Sequence, residues 1–451
     1  MPDVQLDQDQ ILSRLLAAEN NAADSLTLVP SENRLSAFAS LPFILDSYNR
    51  YFFNTTLSED EWLFPGGVDF GAIETEVTLP LARELLNAPF INVRPLSGLS
   101  AMILTLSALG GSSGEPVLHL NEDQGGHYAT ASIIDRLGLR PIAISGISPN
   151  SIDLDRLSHT IASENPLLLY IDQANAIFPI QIKEICEAAR TSKPNILIHV
   201  DISHWMGLIL GRHMPNPLDL GADSIGGSTH KSFPGPQKGL LATRRKDLDR
   251  RFADSQFYLI SSHHLAASIS LGLALWEFRE YEGDRYAAEI INNARHLGVA
   301  LNERGFYVHG EEVGFTKTHQ LWVQTEPLGI PTRVAAERLR RNGLRVNFLP
   351  NLPGLSTPTL RLGLSEITRL GLEPSHMIVL ADLMASSVKP FHHQQRAAVK
   401  HLIAMGCRRY TAPLTESDLS RFLACSEEVL ASDSTPSPRF GERPHSVRTH
   451  H

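Results

Sequence analysis

Asp201 and Lys231 carry the reactive chemistry that the rest of the chain has to position. An apolar run, Asn195 to Val200, ends abruptly in Asp201, and His204 follows three residues later. Lys231 sits in a Ser-Thr-His-Lys-Ser turn closed by glycine and proline. Taken singly, an acid that ends a strand also serves as a helix N-cap or turn former, and most lysines are solvated. As a pair they suit pyridoxal phosphate, which needs a lysine for its Schiff base and an acid to keep its pyridine nitrogen protonated. The protonated ring is then an electron sink for carbanion chemistry at an amino acid's α-carbon.

Other stretches could complete such a site. His127 follows a Gly-Gly turn, exposed enough to meet a planar cofactor face. Its ordinary pKa also suits a base for a β-hydroxyl, although a lone histidine is often structural. Arg361, in a strand-like Thr-Leu-Arg-Leu-Gly run, offers a planar fork for a carboxylate; an edge-strand surface arginine is the alternative. Ser97-Gly98-Leu99-Ser100 opens a helix over Met102 to Leu109, either as a plain N-cap or as a phosphate site at a positive dipole end. Ser31-Glu32 reads equally well as a turn or cap. The aromatic run around Tyr51 and Phe53 reads as packing. His263 and His264 lack any further ligand spacing, so no metal site is expected.

Thr229-His230-Lys231, followed by Gly235-Pro236 and Gly239, resembles the lysine loop of serine hydroxymethyltransferases and their relatives. These are aspartate-aminotransferase-like (fold type I) pyridoxal-phosphate enzymes. The resemblance spans about 25 to 430 and implies roles residue by residue. Lys231 would hold pyridoxal 5′-phosphate, with Asp201, His204, Thr229 and His230 around it and His127 stacked on its ring. Ser97, Gly98 and Leu99 would form the phosphate cup, Leu99 replacing the family's usual serine. Ser261 and Ser262 stand where the family has a Gly-Gly pair touching the neighbouring subunit's phosphate. Ser31 and Arg361 would hold the substrate carboxylate, with Glu32 at the entrance. Tyr51 would reach in from the partner subunit of a homodimer. Phe53 replaces a glutamate that contacts folate, and Leu63 and Phe64 stand near the family's paired tyrosines. These departures weaken the folate pocket, and whether folate is used stays open.

Pro234-Gly235-Pro236-Gln237-Lys238-Gly239 and Gly314-Phe315-Thr316-Lys317-Thr318-His319-Gln320 are closer in wording to L-threonine transaldolases. The implied reaction cleaves L-threonine to acetaldehyde and a glycyl carbanion. A second aldehyde then adds, giving a β-hydroxy-α-amino acid of specialised metabolism. A serine or 2-methylserine hydroxymethyltransferase, a threonine or phenylserine aldolase, and a catalytically silent cofactor-binding regulator are the alternatives.

The elements that must position these groups follow from the chain as a whole. Its 451 residues exceed one ordinary core, and 42% apolar with 20% charged residues reads as soluble and globular. A net charge of −9 argues against a nucleic-acid surface, and no apolar segment approaches membrane-spanning length. The acidic start is unlike a signal peptide, and Cys186, Cys407 and Cys425 lack disulfide spacing, so a cytoplasmic protein is expected. Strand-like and helical runs alternate, predicting an α/β fold with a mostly parallel sheet and ligands at its carboxyl ends. The expected layout is an N-terminal arm and helix (1–45), a large cofactor domain with a seven-stranded type of sheet (46–275), a smaller α+β domain (276–430) and a disordered tail (431–451). One long helical stretch, Ser268 to Arg304, is expected to link the two domains.

Overall fold

Leu168–Ile171 and Leu197–Asp201 read as unbroken apolar runs because their strands are covered on both faces. Side chains alternate between two cores: Leu168 and Tyr170 enter one, Leu169 and Ile171 the other. In the computed structural model these strands belong to a seven-stranded sheet. Its order is Phe90–Asn92, Gly239–Thr243, Ser224–Ser228, Leu197–Asp201, Leu168–Ile171, Pro116–Leu120 and Arg140–Ile144. Only Gly239–Thr243 runs antiparallel to its neighbours. This is the expected α/β class with a mostly parallel sheet.

The structure describes residues 7–54, 57–58, 60, 64–148, 150–389, 395–407, 410–422 and 424. Leu63, Cys425 and the expected tail from 431 lie outside them. The chain divides into two compact units, Met1–Ala412 and Pro413–His451. In the second, Thr415 Oγ1 accepts from the Asp418 N–H and Asp418 accepts back from the Thr415 N–H, both at 3.1 Å, a reciprocal helix cap. Among the described residues no helix is long and apolar enough to cross a membrane.

Within the first unit, helices Gly98–Leu109 and Lys246–Leu259 cover one face of the large sheet, and Ile182–Ser192 and Leu265–Glu280 the other. A second, antiparallel sheet runs Tyr307–Val308, Gln320–Gln324, Thr359–Gly363, Asn347–Leu349. Its core takes in Leu26 and Leu28 from the N-terminal segment, where Leu26–Thr27 pairs in parallel with Leu344–Arg345. The N-terminal helix Gln8–Ala23 buries nothing and leaves Ile11, Leu12, Leu15 and Leu16 exposed.

The expected helix Ser268–Arg304 is instead two, Leu265–Glu280 and Gly283–Asn302. Glu282 adopts a left-handed φ of 53°, and a Cβ on Gly283 would lie 2.2 Å from the Phe278 carbonyl oxygen. That close approach turns the chain, and a count of apolar residues cannot reveal it.

A buried ion pair secures the helix Leu265–Glu280. Glu277 accepts from Arg369 at 3.0 Å and from the Ala412 N–H at 2.8 Å, while Arg369 also donates to the Tyr410 carbonyl. Removing one partner strands the other charge away from water, so Glu277→Ala is expected to cost about 3–5 kcal/mol. Equilibrium unfolding in denaturant measures this; a loss no larger than that of a surface substitution would show the pair to be dispensable.

Candidate active site

The parallel strands deliver two acids at their carboxyl ends, Asp201 and Asp172. Asp201 Oδ1 accepts from the Ser203 N–H at 2.7 Å, and the Tyr170 hydroxyl approaches Oδ2 at 3.5 Å. The next strand must pass close beside this carboxylate, and Gly227 allows it. With φ at 135°, a Cβ there would meet Ser203 Oγ at 2.3 Å and Asp201 Oδ1 at 2.8 Å. Asp172 is buried; Oδ2 accepts from the Thr130 hydroxyl and from the His127 N–H (3.3 Å), while Oδ1 has no partner among the described residues. Burial and the neighbouring Asp201 push Asp172 well above the usual carboxylate range, so it holds its proton.

Lys231 lies in the loop after Ser224–Ser228. Asn33 Nδ2 donates to the Lys231 carbonyl at 2.7 Å and to the Tyr286 hydroxyl at 2.9 Å, so the N-terminal segment pins the loop from outside. Lys231 Nζ lies 3.3 Å from His204 Nε2. On the far side of that ring, Nδ1 faces Gln320 Nε2 at 3.3 Å and His319 Nε2 at 3.2 Å. An amide NH₂ can only donate, so Nδ1 is the acceptor and the His204 proton sits on Nε2, toward the lysine. Burial, with Arg361 adding to it, lowers Lys231 to about 8 against the pull of Asp201. Burial lowers His204 well below its ordinary value and His319 to about 3, so both rings are neutral.

His127 is lowered too, by burial first and then by Lys231. Its Nδ1 receives a long contact, 3.3 Å, from the Ala129 N–H, and Tyr128 packs on it at 4.6 Å. Arg361, on the second sheet, donates to Asn175 Oδ1, and burial brings it down to about 10. Ser31, His127, Asn175, His204, Lys231 and Arg361 line one chamber of about 960 Å³. Glu122, Asp123, Gln124 and the segment 349–356 form its outer wall.

A smaller recess runs inward from Lys231, lined by Gly98, Leu99, His127, Asp201, Ser203 and Ser228. Ser97 Oγ caps its helix on the Ser100 N–H at 3.1 Å, and a Cβ at Gly98 would lie 2.2 Å from Ser228 Oγ. These residues fit pyridoxal phosphate. Lys231 would hold its aldehyde carbon, Asp201 would pair with its ring nitrogen and His127 would pack on its ring, while a helix N-terminus with the Ser203 and Ser228 hydroxyls near it suits its phosphate. Among the described residues no cluster could hold a metal ion.

Several residues singled out in the sequence lie elsewhere in this subunit. Thr229 Oγ1 donates to the carbonyls of Pro236 (2.6 Å) and Lys238 (3.1 Å), so it closes the lysine loop. His230 and Glu32 line a neighbouring cavity of about 330 Å³ with Phe43. Tyr51, Phe53 and Phe64 form an exposed aromatic group, with centroids 5.1 to 5.8 Å apart, that lines neither the chamber nor the recess. Ser261 and Ser262 line neither as well. Conversely, Tyr170, His319, Gln320 and the 349–356 segment join the site without having been assigned roles from sequence. The Thr318-His319-Gln320 wording was the available signal.

Comparison with known proteins gives the chain's family and fold. The family model for serine hydroxymethyltransferase matches residues 6–384. An L-threonine:uridine-5′-aldehyde transaldolase from Streptomyces sp. is 42% identical over 374 residues, covering 83% of this chain and 90% of that protein. A serine hydroxymethyltransferase from Methanosphaera stadtmanae is 32% identical over 394 residues, covering 85% and 91%. The crystal structure of an L-threonine transaldolase from Pseudomonas fluorescens in its internal aldimine state superposes with a TM-score of 0.82 at 26% identity, covering 92% of this chain and 96% of that one. With the family model matching residues 6–384, most of its length, the chain belongs to the serine hydroxymethyltransferase family.

Proposed function

We propose that the protein is a pyridoxal-phosphate-dependent L-threonine transaldolase that moves the glycine unit of threonine onto a second aldehyde. The proposed product is a β-hydroxy-α-amino acid of natural-product biosynthesis. The observation that carries this reading is the Lys231 recess opening into a chamber of about 960 Å³ with an acidic outer wall, room for a polar acceptor of nucleoside size. Relatives named for uridine-5′-aldehyde support a nucleoside aldehyde as that acceptor.

Pyridoxal phosphate, when bound, supplies the electron sink for the Cα–Cβ bond pair. Arg361, oriented by Asn175, pairs with the threonine carboxylate, and Ser31 adds a hydroxyl on the same side. Asp201 holds the proton on the pyridine nitrogen. His127, which lines both the chamber and the recess, takes the β-hydroxyl proton. Because His127 is neutral it can act as that base, and the same proton can be returned to the oxygen of the incoming aldehyde.

A homodimer is part of the proposal. Tyr51 is 49% exposed and the apolar face of helix Gln8–Ala23 covers nothing in its own subunit. Such surfaces suit a second copy that receives Tyr51 and Phe53 at its own site. The exposed thiol of Cys407 suits a reducing, cytoplasmic setting.

The deciding experiment follows acetaldehyde and glycine from L-threonine without folate, with and without uridine-5′-aldehyde. Acetaldehyde release stimulated by the acceptor, with a new amino acid formed, is expected. Equal release of free glycine without any acceptor would make the protein an aldolase, and folate-dependent turnover of serine would make it a hydroxymethyltransferase.

Lys231 also predicts a pH profile. Its free amine must attack the cofactor aldehyde, so uptake of pyridoxal phosphate by the apoprotein should quicken with rising pH and level off above about 8. Arg361→Ala should move that midpoint upward, since the guanidinium helps to lower Lys231. Stopped-flow absorbance across pH reads both, and a profile unchanged by the substitution would refute the coupling.

A further inference from the structure

Four buried or largely buried titratable side chains outside the Lys231 site, from four separate segments, close into one knot. Glu74, 1% exposed, accepts from Arg94 at 3.0 Å and from His263 Nε2 at 2.8 Å. Arg94 NH1 lies 3.2 Å from His263 Nδ1, and Lys238 Nζ donates to the His263 carbonyl at 2.5 Å. The tautomer is fixed: Nδ1 accepts from the guanidinium and Nε2–H donates to Glu74. Burial lowers His263 to about 4 and Lys238 to about 7; burial would raise Glu74, but Arg94 and His263 outweigh it and hold it at about 2. The knot therefore centres on one ion pair, Glu74 with Arg94.

The backbone is bent to make it. The helical run from Val68 to Leu86 passes through a π-helical segment, Glu74–Thr78, that begins at the acid. Such segments are frequent at functional sites. A buried pair of this kind seldom stabilises better than apolar packing would, so what it holds matters more than its own energy.

What it holds is the aromatic segment. Arg94 NH1 donates to the Phe52 carbonyl at 2.5 Å and NH2 to the Asn54 carbonyl at 2.9 Å, bracketing Phe53 on both sides. The guanidinium also lies 5.6 Å over the Phe52 ring. Phe52 is buried as an anchor, while Tyr51 faces outward in the aromatic group. We infer that Arg94, fixed by Glu74 and His263, is a positioning residue that sets the Tyr51–Phe53 segment for the active site of a second subunit. This rests on the homodimer proposed above. Arg94 touches no reacting atom; it acts through two backbone carbonyls.

The test uses the cofactor-loaded enzyme. Arg94→Gln should keep the cofactor absorbance and the dimer mass of the wild type yet lose kcat, on the order of 10²-fold for a misplacement of about 1 Å. A hybrid dimer then separates the two subunits. One subunit carries Arg94→Gln with Lys231 intact, and the other carries Lys231→Ala with Arg94 intact. One of its two sites combines a whole lysine with a whole aromatic segment, so the hybrid should run at about half the wild-type rate. A hybrid no faster than half the Arg94→Gln homodimer would place Arg94's effect in its own subunit and overturn the inference. If Arg94→Gln does not accumulate folded, Arg94→Lys enters the same hybrid, keeping the charge but losing the fork that spans both carbonyls. Wild-type enzyme that is fully active as a monomer by light scattering would remove the dimer itself, a result distinct from the hybrid's.

Discussion

A buried amine gives up its proton more readily than a solvated one, and the architecture around Lys231 turns on that constraint. Removing an ammonium from water favours its neutral form, and here no carboxylate touches Nζ closely enough to reverse this. The polar neighbour is His204, whose own proton is directed at the amine because Gln320 and His319 occupy the opposite nitrogen. Gln320 begins a strand of the second sheet, and Arg361 lies on the strand beside it. The lysine's charge state therefore depends on two sheets being held together, which is the task of Asn33, Tyr286 and the Leu26–Leu28 segment.

The acids obey a complementary rule. Asp172 and Asp201 end adjacent parallel strands, and two carboxylates so placed in a poorly solvated recess resist carrying two charges. Asp172 yields: it keeps a proton, accepts from Thr130 and from the His127 backbone, and so becomes a brace for the imidazole. Asp201 is left as the acid that would pair with the ring nitrogen in the proposed site. The pair divides positioning from electrostatics with the same side-chain type.

Much of this was legible in the residues. The strands declared themselves because both faces are buried, and the lysine loop because few other turns place a lysine among hydroxyls and close it with Gly-Pro. Arg361 was picked out by the resemblance of its Arg-x-Gly pattern rather than by its fork alone, and it lines the chamber. Long-range pairing left no such trace. Nothing in the neighbourhood of His319 announces that its ring will meet His204 across 115 residues, or that Asn175 will orient Arg361. What the side chains of Thr229 and His230 do was hidden for a related reason. They flank the lysine in sequence, yet one spends its hydroxyl on the loop's own carbonyls and the other turns to a separate cavity. The break before Gly283 was hidden because it follows from a close contact rather than from helix propensity.

The charge state of Lys231 also bears on which reaction the proposed site completes. After acetaldehyde leaves, the glycine unit can be finished by a proton or by a second aldehyde. The proton would come most directly from a lysine ammonium within reach of Cα. An amine lowered to about 8 still largely carries its proton at neutral pH and is a stronger acid than an ordinary lysine, so the lysine alone does not hold that proton back. The competing path gains from the wide chamber, whose outer wall carries Glu122 and Asp123 and so favours hydroxylated acceptors over anionic ones. The balance between the two exits therefore rests on the acceptor space rather than on the lysine.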